Sequence, residues 1–340
     1  MMVSAVLKKL LHLIRWDEWY DSKLPLLAAT AYFINIRNPL PWPEAGVRTS
    51  LIIVFCALFL GYGYAVNDFS DIKADMLVGK KKLMAEIPRS TAVFFLAVLA
   101  LLGISVLSPY YHDPKVMFAV VFCYLLGTVY SLPPIRLKER GVAGLLVSAI
   151  AQRSMPVLVM GAVWKNIDIA LLGWAFLGFL AGIRYILIHQ YQDISADLQS
   201  GVTTFATGNP HVIARLVRWV LATEIITILF LFFYISRGVA GFIIFTAIYV
   251  LYSGWYYSLL KRLAVAPSLL SFTHVPLADL YSLFLPVGFL IFLSIDNIKW
   301  LLFMLTEILW KKRYAAHHFS LYYYYVSGIR QGFAKRGWRK

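Results

Sequence analysis

The chain has 340 residues, of which 60% are Ala, Val, Ile, Leu, Met, Phe, Trp, Tyr or Cys and only 14% are charged. Soluble domains run at about 45–50% apolar and about 25% charged, so a soluble enzyme is excluded, and an aromatic content of 16% excludes disorder. The net charge of +15 falls between apolar runs, the pattern of basic cytoplasmic loops and not of a nucleic-acid binder. The apolar runs are continuous and lack the alternation of a membrane barrel, which leaves an all-α polytopic protein with the lipid bilayer as its solvent. Cys56 and Cys123 both fall in apolar runs and give neither a disulfide framework nor a metal motif.

Residues 2–20 read as an amphipathic helix in the membrane interface. Val3, Val6, Leu7, Leu10, Leu11 and Ile14 keep helical spacing while Lys8, Lys9 and Arg15 interleave. Interrupting bases and the lack of a small-residue cleavage site argue against a cleavable signal peptide. Segment 1–22 is therefore set apart from a transmembrane domain, 23–309, and from a basic, tyrosine-rich tail, 310–340.

A helix needs about 20 apolar residues to cross a bilayer. Runs free of Lys, Arg, Asp and Glu cover 24–36, 49–67, 90–112, 116–135, 238–260 and 280–295. Three more carry one charge each: 141–164 (Arg153), 169–192 (Arg184) and 219–236 (Glu224). The expectation is about nine transmembrane helices. Residues 263–278 read as a loop or capping helix because of Pro267, His274 and Pro276. With the N-terminus inside, the cytoplasmic connections between Lys73 and Arg262 hold most of the loop bases. The opposite loops hold Arg37, Arg48, Lys115, Lys165 and Arg237, so the N-terminus is placed in the cytoplasm. Nine spans put the C-terminus outside, although the tail is basic. Either residues 298–309 turn back, or the tail, with Tyr322 to Tyr325, lies on the outer surface.

Acidic residues number 17, and two clusters of them stand at the ends of the second and sixth spans. Asn67, Asp71 and Asp75 are spaced i, i+4, i+8, with Asp68 beside them; Asp193 and Asp197 are i, i+4. On a helix each set shares a face, where like charges repel unless something binds them. Mg²⁺ takes oxygen ligands, often one or two carboxylates completed by substrate phosphates and water. Two acidic helix ends facing each other make a two-metal clamp for a diphosphate. The bland reading is solvated loop carboxylates, which suits one such motif better than two at equivalent ends. Between the motifs, Tyr130 to Gly141 places Pro133 and Pro134 before Arg136, Lys138 and Arg140. These bases suit phosphate oxygens or simple positive-inside anchoring.

At these residues the chain resembles the UbiA superfamily of intramembrane prenyltransferases. Asn67-Asp68, Asp71 and Asp75 match its NDxxDxxxD motif, and Asp193 and Asp197 match its DxxxD motif. Gly201 to Ala206 is similar to the stretch that follows. Tyr130 to Gly141 resembles the YSxPPxRLKxxG loop of some members. Where many members carry Arg-Pro after the first motif, Leu83-Met84 and Pro88-Arg89 stand here.

The resemblance implies a nine-helix bundle with a cytoplasmic-side site, Mg²⁺ as cofactor and an allylic prenyl diphosphate as donor. The acceptor it implies is a small, aromatic or quinone-precursor molecule. Asn67, Asp71, Asp193 and Asp197 would hold the metal, with Asp68 and Asp75 as further ligands or supports. Lys73, Arg136, Lys138 and Tyr130 would contact the diphosphate. Asp71, Asp193, Arg136 and Lys138 are the residues on which catalysis would rest. Three rivals stand beside this reading. A related phosphoribosyltransferase acting on polyprenyl phosphate shares the metal logic. A CDP-alcohol phosphatidyltransferase would need a DGxxAR element that Asp68 to Asp71 does not begin. A transporter would place its acids near the bilayer midplane.

Overall fold

The computed structural model describes residues 2–77, 79, 82–236, 241–262 and 277–311. All regular structure among these residues is helical. Among the described residues six helices are long and apolar enough to cross a membrane: Trp42–Leu77, Pro114–Ser131, Val142–Val163, Ile169–Gln199, Pro210–Ile235 and Leu277–Asp296. Three shorter apolar helices, Leu24–Arg37, Arg89–Ser105 and Phe242–Tyr256, occupy the other predicted segments. Among the described residues each of the nine expected runs contains a helix, and six of these helices meet the length and apolarity of a span by themselves.

Two helices overrun their predicted ends. Trp42–Leu77 has 36 residues, about 54 Å at 1.5 Å per residue, against a hydrocarbon core of about 30 Å. Ile169–Ser200 has 32 residues. Both acidic motifs are thus continuations of membrane helices and not loops after them, because nothing between Leu51 and Leu77 or between Ile169 and Ser200 breaks a helix.

The chain divides into two compact units, Met1–Leu231 and Phe232–Lys340. In the first, Phe55, Phe59 and Tyr62 pack around Tyr124, with ring centroids 6.4, 5.4 and 5.1 Å away, and Tyr62 shares a hydrogen bond with Thr128 (2.7 Å). Helix Ile169–Ser200 crosses Val142–Val163 at Gly182, where a Cβ would lie 2.8 Å from the Ala149 Cα; only glycine admits that approach. The outward faces carry exposed Phe94, Leu101, Phe118, Leu125 and Phe176, the surface of a protein solvated by lipid. In the second unit, Phe242 stacks with Phe245 and Phe289 and meets Phe292 at a tilt of 45°, and the Tyr252 hydroxyl donates to Asp279.

The two intramembrane arginines have different environments. Arg184 forms a buried, two-point ion pair with Glu224, at 2.6 and 2.9 Å. Arg153 lies on a π-helical turn, Ile150–Ser154, that interrupts Val142–Val163; such a turn re-aims the side chains it carries.

The N-terminal segment is not one helix over 2–20. Met2–Leu13 is followed by a break at Arg15, whose φ is +50°, and by the short helix Trp16–Trp19. The Trp19 indole donates to the Ile14 carbonyl (2.7 Å), which braces the break. At the other end, Leu301–Trp310 has ten residues, about 15 Å, half the thickness of a hydrocarbon core of about 30 Å. Residues 263–276 of the expected loop and the tail from residue 312 lie outside the described residues.

Candidate active site

In the first unit a cavity of about 550 Å³ opens between the two motif helices. Its wall repeats at helical spacing. Phe59, Gly63, Asn67, Asp71 and Asp75 come from Trp42–Leu77, and Gly182, Tyr185, His189, Asp193 and Asp197 come from Ile169–Ser200. The cavity is accordingly acidic toward the C-terminal ends of both helices and apolar toward Phe59 and Leu60. All six predicted metal ligands, Asn67, Asp68, Asp71, Asp75, Asp193 and Asp197, line it, as do Lys138 and Tyr130.

Carboxylates at the C-terminal end of a helix face the negative pole of its dipole and one another, so they require cations. The loop Tyr130–Gly141 supplies two. Lys138 Nζ donates to Asp71 (2.5 Å), to Asn67 Oδ1 (3.0 Å) and to Ser70 (2.8 Å). Arg136 donates to Asp71 (3.0 Å) and to the Ser70 carbonyl (3.1 Å) without itself lining the cavity. Arg136 has a φ of +43°, and this left-handed residue turns the chain into the Leu137–Glu139 turn. The turn sits directly on Gly144, where a Cβ would fall 2.5 Å from the Leu137 carbonyl oxygen. Glycine at 144 is therefore part of how Lys138 reaches Asp71. Burial lowers the Lys138 ammonium from its usual range, opposed by the attraction of Asp71.

Asp68 is more deeply held than the sequence implies. It is 5% exposed and accepts from Lys82 (2.9 Å) and Arg15 (3.2 Å). On the second helix, Asp193 lies 3.0 Å from His189 Nδ1, and the Thr204 hydroxyl donates to Asp197 (3.3 Å). Thr204 caps the short helix Phe205–Gly208, so the turn after the second motif also faces the cavity.

Lys73 departs from its expected place. It is two residues beyond Asp71, about 200° round the helix; it is exposed and does not line the cavity. Lys82 takes the position beside the first motif instead. Lys82→Ala is expected to lower turnover by about tenfold or more and Lys73→Ala to change it far less, measured as product formed per protein. Equal effects of the two would remove Lys82 from the site.

The N-terminal segment contributes to the site in a way that residue spacing does not reveal. Arg15, Glu18, Ser22 and Lys23 line the cavity. The Arg15 guanidinium grips Glu18, reaches Asp68 and lies 4.9 Å from the Tyr64 ring centroid. A domain boundary at residue 22 thus does not separate this segment from the site.

The donor set suits a divalent cation. It consists of oxygens from Asn67, Asp71, Asp75, Asp193 and Asp197, the hard ligands that Mg²⁺ prefers. Among the described residues no three His, Cys, Asp or Glu side chains converge as a closed cage.

A sequence profile of the UbiA prenyltransferase family matches residues 24–274. No individual curated protein sequence matches the chain. The fold is similar to that of a UbiA homolog from Archaeoglobus fulgidus solved with GPP and Mg²⁺. The TM-score is 0.57 at 17% identity, covering 82% of this chain and 98% of that one. The same homolog bound to DMAPP and Mg²⁺ gives 0.54 at 18% identity, covering 82% and 97%. A digeranylgeranylglyceryl phosphate synthase gives 0.54 at 15% identity, covering 83% and 96%. At these identities the structures attest the fold alone, and the profile, which spans most of the chain, attests the family. This chain belongs to the UbiA prenyltransferase family and is an integral, multi-pass membrane prenyltransferase.

Proposed function

We propose that the chain transfers a prenyl group from an allylic prenyl diphosphate to a small acceptor, aromatic or a quinone precursor, with Mg²⁺ and release of diphosphate. The observation that carries this is a cavity with acidic motifs from two helices at one end and an apolar wall at the other. The homologs solved with GPP or DMAPP and Mg²⁺ support the donor class. The excess of bases in one set of loops supports a cytoplasmic position for the acidic ends.

In this reading Asn67, Asp71, Asp193 and Asp197 would hold Mg²⁺, with Asp75 beside them. When bound there, the metal would supply positive charge to the diphosphate oxygens. Asp68, saturated by Lys82 and Arg15, serves to hold those two cations at the rim. Lys138 and Arg136 hold Asp71 and add charge where the leaving group develops it. Tyr130, which lines the same stretch of wall, contacts the departing diphosphate. The allylic C–O bond breaks with its electron pair leaving on the diphosphate. The acceptor's nucleophilic carbon or oxygen forms the new bond and releases its proton. Phe59, Leu60 and the neighbouring wall receive the prenyl chain and keep water from the allylic cation.

Incubating the purified protein with geranyl, farnesyl and geranylgeranyl diphosphates, each against a panel of aromatic acceptors, is expected to give a prenylated product and free diphosphate. Both are expected to vanish on addition of EDTA and to return with excess Mg²⁺. Turnover unaffected by the chelator would sink the metal assignment. Diphosphate released only from phosphoribosyl diphosphate would favour the phosphoribosyl-transferring alternative.

A further inference from the structure

The helix Met2–Leu13 is anchored at its C-terminal end. Ile14, the next residue, packs on the first motif helix at Gly61, where a Cβ would lie 3.2 Å from the Ile14 Cβ. The Trp19 indole holds the Ile14 carbonyl at 2.7 Å. Arg15 then takes a left-handed backbone, φ +50°, which costs a non-glycine residue and persists only where neighbours hold it. Here they do: its guanidinium grips Glu18 and reaches Asp68. The helix also comes close to the turn Leu83–Ala85, which follows directly on Lys82. Arg15 and Lys82, the two bases to which Asp68 is bonded, thus both stand next to this helix.

The helix turns another side outward. Val6, Leu7 and Leu10 are exposed and share a face by their spacing. Lys8 and Lys9 are exposed beside them, and the helix contains no acid. Its level relative to the membrane follows from Asp68. That residue directly follows the uncharged run 49–67, so it lies where a span leaves the hydrocarbon, and Arg15 meets it two residues past the end of the helix. An apolar face flanked by bases at that level matches a leaflet surface. Acyl chains take up the leucines and anionic head groups meet the lysines.

We propose that Met2–Leu13 docks on the anionic head groups of the leaflet beside the acidic motifs, and that docking holds Arg15 and Lys82 at the rim of the cavity. The part this rim plays in binding a diphosphate rests on the prenyl-transfer reading above. Arg15 is a positioning residue in this arrangement. It acts through Asp68, and the charge of the leaflet sets how much of the time it is in place.

The test is hydrogen exchange of the full-length protein, read by mass spectrometry, in two kinds of nanodisc. One is phosphatidylcholine alone and the other contains about one third phosphatidylglycerol. Amides 6–13 are expected to exchange about tenfold to thirtyfold more slowly in the anionic discs, the worth of two lysines near such a surface. Amides 14–20 are expected to slow with them, because the Ile14 and Arg15 amides donate to the Leu10 and His12 carbonyls. The double variant Lys8→Gln with Lys9→Gln is expected to abolish the difference in both stretches. Calorimetric titration with pyrophosphate and Mg²⁺ reads the rim. In anionic discs the unaltered chain is expected to bind about fivefold or more tightly than the double variant, and in neutral discs equally. Arg15→Gln is expected to lose that gain and Arg15→Lys to keep most of it.

The proposal is overturned if amides 6–13 exchange alike in both discs, which would give the face to an uncharged occupant such as a second copy of the chain. It is also overturned if the difference outlives the loss of Lys8 and Lys9, if amides 14–20 do not follow, or if exchange responds to the lipid while bound pyrophosphate does not. Pyrophosphate that binds in neither disc overturns the donor reading, and exchange in the two stretches still decides the docking.

Discussion

Asp71→Asn and Asp193→Asn are each expected to lower turnover by about a hundredfold to a thousandfold while leaving the protein folded. Asparagine keeps the size of the side chain and one oxygen but loses the charge, so packing is preserved and affinity for a divalent cation is not. The two positions come from different helices, Trp42–Leu77 and Ile169–Ser200, yet face one cavity. They are therefore expected to act as a unit, the double variant being little worse than the poorer single one. Asp71 also anchors Lys138 and Arg136 at 2.5 and 3.0 Å, so its loss disturbs the basic loop as well. Asp193, beside His189 at 3.0 Å, has no such second duty and is the cleaner probe. The measurements are steady-state diphosphate release and a thermal melt of each variant. Turnover at the level of the unaltered chain in either would remove that residue from the catalytic set.

Glu224→Ala is expected to cost about 3–5 kcal/mol of stability, the penalty for stranding a buried charge. Arg184 and Glu224 are 1% and 0% exposed and bonded at two points. Removing the carboxylate leaves the Arg184 guanidinium inside a membrane bundle. The double variant Arg184→Met with Glu224→Leu is expected to recover most of the loss, since apolar side chains of similar volume often replace a buried pair without cost. Arg184 also lies 4.7 Å from the Tyr185 ring centroid, and Tyr185 is part of the cavity wall. The single variant is thus also expected to disturb the cavity wall and lower turnover in whatever fraction remains folded. Melting temperatures of the three variants in one detergent decide the matter. A single variant as stable as the unaltered chain would mean that water or another group serves Arg184.

Some of these features are legible in the amino-acid sequence alone. A run of about 20 apolar residues has few fates other than a membrane helix, which is why six of the expected segments are helices long and apolar enough to cross a membrane among the described residues. The spacing of Asn67, Asp71 and Asp75, and of Asp193 and Asp197, is informative for the same reason. Helical periodicity is local, so residues four apart share a face whatever the surroundings. Other features are not legible there. Arg15 is one base among Lys8, Lys9 and Arg15 in an amphipathic segment. A base facing lipid head groups and a base turned into a cavity carry the same sequence signal, and only the break at Arg15 separates them. Proximity in sequence to Asp71 puts Lys73 beside the diphosphate, but two residues along a helix is nearly the opposite side. Nothing in Ile150 to Ser154 announces a π-helical turn, and so nothing distinguishes Arg153 from Arg184.

The sequence by itself determined the solvent, the helices and the two acidic faces, because burial in lipid and helical spacing act over a few residues at a time. The tertiary structure decided which cations answer which carboxylates. Lys138 meets Asp71 across 67 residues, and Arg15 meets Asp68 across 53. It also decided that Glu224 pairs with Arg184 while Arg153 enters the cavity. Those choices depend on close approaches such as Gly144 against Leu137 and Gly182 against Ala149. An ion pair forms where packing brings two charges within a few ångströms, and packing between distant segments is a property of the folded bundle as a whole.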